Sequence, residues 1–413
     1  MKKFVALILA ATASCAAVAK LSGDNAARYV KACEADLSRA DLYKDDLCET
    51  ASVDSGESLS VSAKSAYLLD TNSGYEIFAA GENDRRPIAS MTKITLLLLA
   101  FESIDRGELS LDEDIIVSEN ASKMGGSQVF LRSGGSYKAH DLIKSIVVAS
   151  ANDSSVAIAE RLYGSVDECV RQMNLKAENL GLKNTLYANV TGLPAPMQYS
   201  SAKDVAVIFS NLIKHEKYFD FSSIWLDKIT HEKSGEEGFT EIANTNKLVK
   251  FYNGCDGGKT GFTSEAGFCL TATAKRGNMR LVSVVINAPS SKERFNDSSK
   301  LLNYGFNNFY NKAVVDKSVP LDKTVAVKGG KSKDAQVVPQ NNFYVFSRRG
   351  AKDRVELEYN LTRKVAAPVK TGDVLGEIVI FNNGVEVGRV NVISNVNVEK
   401  MTYFDYIKKI AAN

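Results

Sequence analysis

The chain has 413 residues, long for one core, so two domains are the natural expectation. Its 51 basic and 49 acidic residues leave a net charge of +2, which argues against a nucleic-acid protein, because phosphate binding calls for a clear basic excess. The 45% hydrophobic and 24% charged fractions are those of a globular chain.

The N-terminus has the layout of a secretory signal peptide. Met1-Lys2-Lys3 is basic, FVALILAATA is apolar, and AVAK supplies small residues at Ala17 and Ala19, so residues 1–19 are expected to be removed after Ala19. The apolar run is short for a membrane span. An uncleaved anchor and lipidation at Cys15 are the alternatives, and Thr12 suits the second poorly. Export implies an oxidising compartment. Cleavage would take Cys15 and leave Cys33, Cys48, Cys169, Cys255 and Cys269. The pairs expected are Cys33 with Cys48 and Cys255 with Cys269, although spacing does not fix connectivity. Cys169 is left over. It shares a helical face with Val166, Val170 and Met173 and reads as a buried thiol. No Cys/His set has zinc spacing, the only histidines are His140, His215 and His231, and neither metal nor cofactor is expected.

Residues 20–60 read as a polar extension and linker. SAYLLDTNSGYEIFAAG is a strand pair turning at Asn72-Ser73-Gly74. Pro87 and Gly107 then bound a helix whose ITLLLLAF is apolar nearly all round, so it is buried. Helical patterns fill about 110–215, broken by the glycine-rich stretch GGSQVFLRSGGS, which ends in neither Gly-Lys-Ser nor Gly-Lys-Thr and reads as an active-site rim loop. Strands follow from 240 to 290, with a hairpin turning at Arg276-Gly277-Asn278, and SSKLLNYGFNNFYNKAV reads as a closing helix. Helices inserted between early and late strands give an α+β domain over 61–315, an antiparallel sheet flanked by helices. Residues 316–396, with the alternating RVELEYNL and the Asn383-Gly384 turn, form a small all-β domain. The tail, 397–413, is amphipathic. Tyr403, Phe404, Ile407, Ile410 and Ala411 share a face suited either to a membrane interface over 398–413 or to docking on the β domain.

Three short patterns could carry chemistry. Ser90 and Lys93 stand at i and i+3 at the start of the buried helix, where burial strips a lysine of its charge and lets it take a serine proton. Ser150-Ala151-Asn152 follows an apolar helix and offers a hydroxyl for proton relay and an amide for a substrate carbonyl or for the lysine. Lys259-Thr260-Gly261 follows Gly257-Gly258 and precedes a hairpin, so a substrate backbone could lie along a strand edge beside a cation and a hydroxyl. Each is weak by itself. Ser-x-x-Lys recurs at Ser200–Lys203, Ser-x-Asn at Ser118–Asn120, and Lys-Thr-Gly at Lys370–Gly372, which reads as a solvated turn.

In their order the three patterns are the set shared by penicillin-binding proteins and class A β-lactamases. SAYLLDTNSGYEIFAAGENDRRPIASMTKI, SANDSSVAIAE, QYSSAKDVAVI and DGGKTGFTSEAGFCLTATAKRGNMRLVSVV resemble the D-alanyl-D-alanine carboxypeptidases, the low-molecular-mass penicillin-binding proteins of serine peptidase family S11. The resemblance runs from about 62 to 312 and on into the β domain and tail. It implies a β-lactamase/transpeptidase-like fold and removal of the terminal D-alanine from peptidoglycan stem pentapeptides, with β-lactams as acylating inhibitors. Ser90 would be the acylated nucleophile, Lys93 its base and Ser150 the proton relay. Asn152, Lys259, Thr260 and Gly261 would bind substrate, Phe262 would share a backbone oxyanion hole with Ser90, and Arg294 would lie near the carboxylate site.

Four rivals are weighed against it. An endopeptidase cutting cross-links differs only in the leaving group. A class A β-lactamase needs a Glu-x-x-Leu-Asn loop, and Glu241–Asn244 lacks the leucine. An inactive wall-binding homologue should have lost a catalytic group. A chymotrypsin-like hydrolase needs a histidine beside its nucleophile.

Overall fold

The computed structural model describes residues 59–233, 236–405 and 407. The expected signal peptide, the polar extension up to residue 58, the Cys33–Cys48 pairing and, of the tail's apolar face, Ile410 and Ala411 lie outside them. The paired strands β1 (Ser65–Asp70) and β2 (Glu76–Ala80) lead into a 3-10 turn, Ala89–Thr92, and helix α1 (Lys93–Asp105). Eleven of the thirteen α1 residues are buried, as its unbroken apolar run requires. Each of its leucines contributes about 1.5–3 kcal/mol of burial.

The helical part continues with β3 (Asp114–Ile116), α2 (Glu119–Ser122), β4 (Ser136–Lys138), α3 (Ala139–Ala149) and α4 (Asn152–Tyr163). Then come α5 (Val166–Asn179), α6 (Ala202–Leu212) and α7 (Tyr218–Ser222). A ribbon, β5 (Leu226–Lys233) with β6 (Glu236–Ala243), extends the chain before α8 (Leu248–Phe251). The late strands β7 (Cys255–Thr263), β8 (Gly267–Arg276) and β9 (Met279–Ala288) join the early pair in one antiparallel sheet of order β2-β1-β9-β8-β7. One face packs on the helical core around α1, α3, α4 and α6, and the other on α9 (Ser291–Asn308). Gly305 lets α9 approach closely, since a Cβ there would lie 2.5 Å from the Leu281 side chain. The antiparallel sheet flanked by helices is as expected.

The closing helix ends earlier than its pattern suggests. After Asn308 the chain forms β10 (Phe309–Val315), which pairs with β13 (Phe343–Arg348). Phe309 stacks on Phe346 at 5.0 Å, which rewards an extended chain there over another helical turn. The remaining strands are β11 (Thr324–Lys328), β12 (Asp334–Pro339), β14 (Val355–Leu361), β15 (Lys364–Ala366), β16 (Val374–Asn382) and β17 (Val385–Ser394). They form a six-stranded sheet over a separate valine-rich core, the expected all-β domain.

The Cys255–Cys269 pairing is wrong. β7 and β8 are antiparallel, with Cys255 opposite Ala274 and Cys269 opposite Gly261. The offset of five residue steps from Cys269 to Ala274 separates the thiols by about 17 Å of strand, far beyond the reach of a disulfide. Both are free buried thiols, as is Cys169.

Candidate active site

Three stretches distant in sequence meet where the β7 edge of the sheet passes the start of α1. The Ala89–Thr92 turn is tight. Met91 N–H donates to Ile88 O at 3.1 Å, and Ala89 has φ +46, a conformation L residues rarely adopt. Ser90 is the second residue of this turn, three before α1 begins at Lys93. Lys93 Nζ lies 2.9 Å from Ser90 Oγ and donates to Thr191 O at 2.6 Å. The lysine is fully buried. Burial first, and then the neighbouring Lys259 cation, hold its pKa well below the ordinary lysine value, against a smaller opposing pull from Asp153.

Ser150 ends α3 in a left-handed conformation, φ +64, and this sharp turn between α3 and α4 delivers its hydroxyl to the site. Lys259 Nζ donates to Ser150 Oγ at 2.7 Å and to Thr260 O at 3.1 Å. Burial, assisted by the charge of Arg294, pulls the Lys259 pKa down to about 7. Asn152 opens α4. Its N–H donates to Ser127 O and its Nδ2 to Gly125 O, both at 2.7 Å, while Oδ1 is buried with no hydrogen-bond partner.

Thr260 Oγ1 donates to Thr245 Oγ1 at 2.8 Å. Gly261 brings β7 against the Ala89–Thr92 turn, since a Cβ there would lie 2.6 Å from Ile88 O and 3.2 Å from Ser90 N. Phe262 follows, with its ring 55% exposed and 4.4 Å from the ring of Phe268. Arg294, early in α9, donates to Gly261 O at 3.4 Å and lies over the Phe268 ring. The nine residues singled out in the sequence therefore come together where β7 passes the start of α1 and the α3–α4 turn.

The duplicate motifs do not. Ser200 N–H pairs with Arg86 O, and Lys203 forms an exposed ion pair with Glu76 at 3.3 Å. Ser118 caps α2, and Asn120 donates to Glu160. Lys370–Asp373 is an exposed turn in which Gly372 has φ +94 and Lys370 N–H donates to Asp373 Oδ2 at 2.8 Å.

Sequence reasoning missed what holds the rim. Asp153 is buried, and its carboxylate accepts from Val129, Leu131 and Ser154 N–H. A second clamp comes from the β5–β6 ribbon. Thr240 donates to Val129 O at 3.3 Å, so His231 Nε2–H must donate to Thr240, and the Tyr137 hydroxyl to His231 Nδ1 at 2.9 Å. Arg132 N–H closes the circuit on the Tyr137 oxygen at 3.4 Å. The glycine-rich stretch is thereby fixed beside Asn152. Among the described residues, no group of three or more His, Cys, Asp or Glu side chains could hold a metal.

Comparison with known proteins gives one result throughout. Residues 50–290 match the family model described as D-alanyl-D-alanine carboxypeptidase, and residues 309–400 match the penicillin-binding protein 5 C-terminal domain. The D-alanyl-D-alanine carboxypeptidase DacF of Bacillus subtilis is 36% identical over 348 residues, covering 84% of this chain and 88% of its own. Penicillin-binding protein 5 of Haemophilus influenzae superposes with a TM-score of 0.65 at 29% identity, over 83% of this chain and 99% of its own. Penicillin-binding protein D2 of Listeria monocytogenes, solved in its ampicillin-bound form, matches with a TM-score of 0.53 at 29% identity, over 60% of this chain and all of its own.

Proposed function

The chain belongs to the D-alanyl-D-alanine carboxypeptidase family of serine peptidases, and on that premise we propose which residues carry each step. It is a serine-type D-Ala-D-Ala carboxypeptidase, a hydrolase of the penicillin-binding class. The observation that carries the residue assignment is the 2.9 Å approach of the buried Lys93 amine to Ser90 Oγ.

Neutral Lys93 takes the Ser90 proton as Oγ attacks the carbonyl carbon between two D-alanines. The oxyanion is held by the backbone N–H groups of Ser90, in the Ala89–Thr92 turn, and Phe262, in β7, which the small Gly261 allows to approach closely. Ser150 passes its proton to the amino group of the departing D-alanine as the C–N bond breaks, and the proton that Lys93 took from Ser90 is handed on to Ser150, which leaves an ester on Ser90 Oγ and Lys93 neutral again. Water then gives a proton to Lys93 and attacks that ester. The shortened peptide leaves and Ser90 recovers its proton. Asn152 Oδ1, buried and unpartnered, accepts a substrate amide N–H. Thr260 holds the terminal carboxylate beside the charges of Lys259 and Arg294.

The substrate we assign is the peptidoglycan stem pentapeptide. A β-lactam offers the same acyl carbon in a strained ring, and the ampicillin-bound Listeria relative supports acylation of this site by penicillins. We assign the chemistry to residues 61–315 and a β-rich accessory role to 316–396. The basic-then-apolar start of the chain supports export to the periplasm or the outer face of the cytoplasmic membrane. No helix among the described residues is long and apolar enough to cross a membrane. Tyr403 and Phe404, 76% and 73% exposed, support a peripheral membrane contact by the tail.

Release of D-alanine tests the substrate. Purified protein given a stem pentapeptide ending in D-Ala-D-Ala should release one D-alanine per peptide and leave a cross-linked dimer largely intact. Preferential cleavage of the dimer would overturn the carboxypeptidase assignment in favour of an endopeptidase.

A further inference from the structure

The Thr191 carbonyl makes the shortest contact to Lys93, at 2.6 Å, and something must hold that carbonyl there. One side chain shapes the turn that carries it. Asn189 Oδ1 accepts from Gly192 N–H at 2.7 Å, from Thr191 N–H at 3.1 Å and from the Thr191 hydroxyl at 3.2 Å. Asn189 Nδ2 donates to Leu193 O at 2.9 Å, so both ends of the amide are spent on the turn. Gln198 Oε1 fixes the approach to it, accepting from Ala188 and Asn189 N–H at 3.0 Å.

The same turn also bears on the nucleophile. Gly192 has φ +82, and a Cβ on it would lie 2.0 Å from Ala89 O and 2.8 Å from Ser90 N. It is wedged against the peptide that joins Ala89 to Ser90. Ala89 itself is held at φ +46, a strained conformation that persists only under outside constraint. Ser90 and Lys93 are thus set from one side by a single turn.

We propose that Asn189 is a positioning residue for acylation, acting through Thr191 and Gly192. The proposal rests on the reading of Ser90 as nucleophile and Lys93 as base. A neutral amine has two N–H bonds and one lone pair. Donation of one N–H to Thr191 O fixes rotation about the Cε–Nζ bond. The lone pair is then free to meet the Ser90 hydroxyl at 2.9 Å. When the turn relaxes, the amine turns with it, and a misplacement of about 1 Å costs roughly 100-fold in rate.

The test is a time course of fluorescent penicillin acylation with the full chain, read separately as the rate constant at saturation and the half-saturating concentration. Asn189→Ala should lower the rate constant about 10–100-fold and move half-saturation by less than about threefold. Asn189→Asp keeps an acceptor for all three bonds and should recover most of the rate. Any deficit it keeps from its charge holding a proton on Lys93 should vanish as pH is raised from about 7 to about 9, while that of Asn189→Ala persists. Three results overturn the inference: Asn189→Ala acylating as fast as wild type, Asn189→Asp failing equally at every pH, or half-saturation rising in step with the loss of rate. A wild type that takes no label removes the Ser90 reading and this inference with it. A labelled wild type matched by Asn189→Ala removes only this inference.

Discussion

Lys259 Nζ lies 2.7 Å from Ser150 Oγ, joining a strand of the late sheet to the turn between two helices 109 residues earlier. Lys370, in the same tripeptide, spends its backbone on an exposed turn. Lys259→Ala should therefore lower kcat/KM for D-alanine release about 100–1,000-fold, the scale of a lost charge stabiliser in a dry site. Lys370→Ala should stay within about twofold of wild type, as surface changes usually do. Equal effects would undo the distinction.

The two lysines also set the pH response. Lys93 must be neutral to act as base, so kcat/KM rises with pH through its depressed pKa. Lys259 must be charged to stabilise substrate, so activity falls as pH rises past about 7 in the free enzyme. The profile is a bell whose limbs belong to the coupled pair. Arg294 is one cause of the low Lys259 pKa, and removing a like charge favours the ammonium form. Arg294→Gln should shift the alkaline limb to higher pH while weakening substrate binding. A limb that stays fixed or moves down contradicts the assignment.

Gly261 tests whether β7 must touch the turn that carries Ser90, the proposed nucleophile. A Cβ there meets backbone at 2.6 Å, whereas one on Gly277, in the β8–β9 turn, meets nothing within 4 Å. Gly261→Ala should abolish penicillin labelling or slow it at least about 100-fold by displacing the oxyanion donors. Gly277→Ala, at φ +57, should cost about 1–2 kcal/mol of stability, read from a denaturant melt, and leave labelling intact.

The residues of the proposed site stand out in the sequence because the chemistry proposed for them demands particular types in a particular order. Ser90, Lys93, Ser150, Asn152, Lys259 and Thr260 each need a hydroxyl, amine or amide, and the apolar run of α1 announced the burial that tunes Lys93. The supports were less visible. Among the described side chains of the β5–β6 ribbon, only Ile229, His231 and Ile242 are buried, too thin an alternation to stand out. Asn189-x-Thr191-Gly192 carried an Asx-turn signature, but its closeness to Lys93 is a matter of tertiary approach. The cysteines misled because sequence nearness around Lys-Thr-Gly says nothing of strand register, and the antiparallel pairing drives Cys255 and Cys269 toward opposite ends of the hairpin. The end of the last helix was missed because the Phe309–Phe346 stack lies between segments far apart in sequence.

The central claim is that Ser90 is the acylated residue. Intact-protein mass spectrometry after incubation with a penicillin, followed by peptide mapping, measures it directly. Wild type should gain the mass of one penicilloyl group on the peptide containing Ser90, and Ser90→Ala, with an unchanged melting transition, should gain none. Equal labelling of Ser90→Ala, or a label mapped to any other serine, would contradict the account.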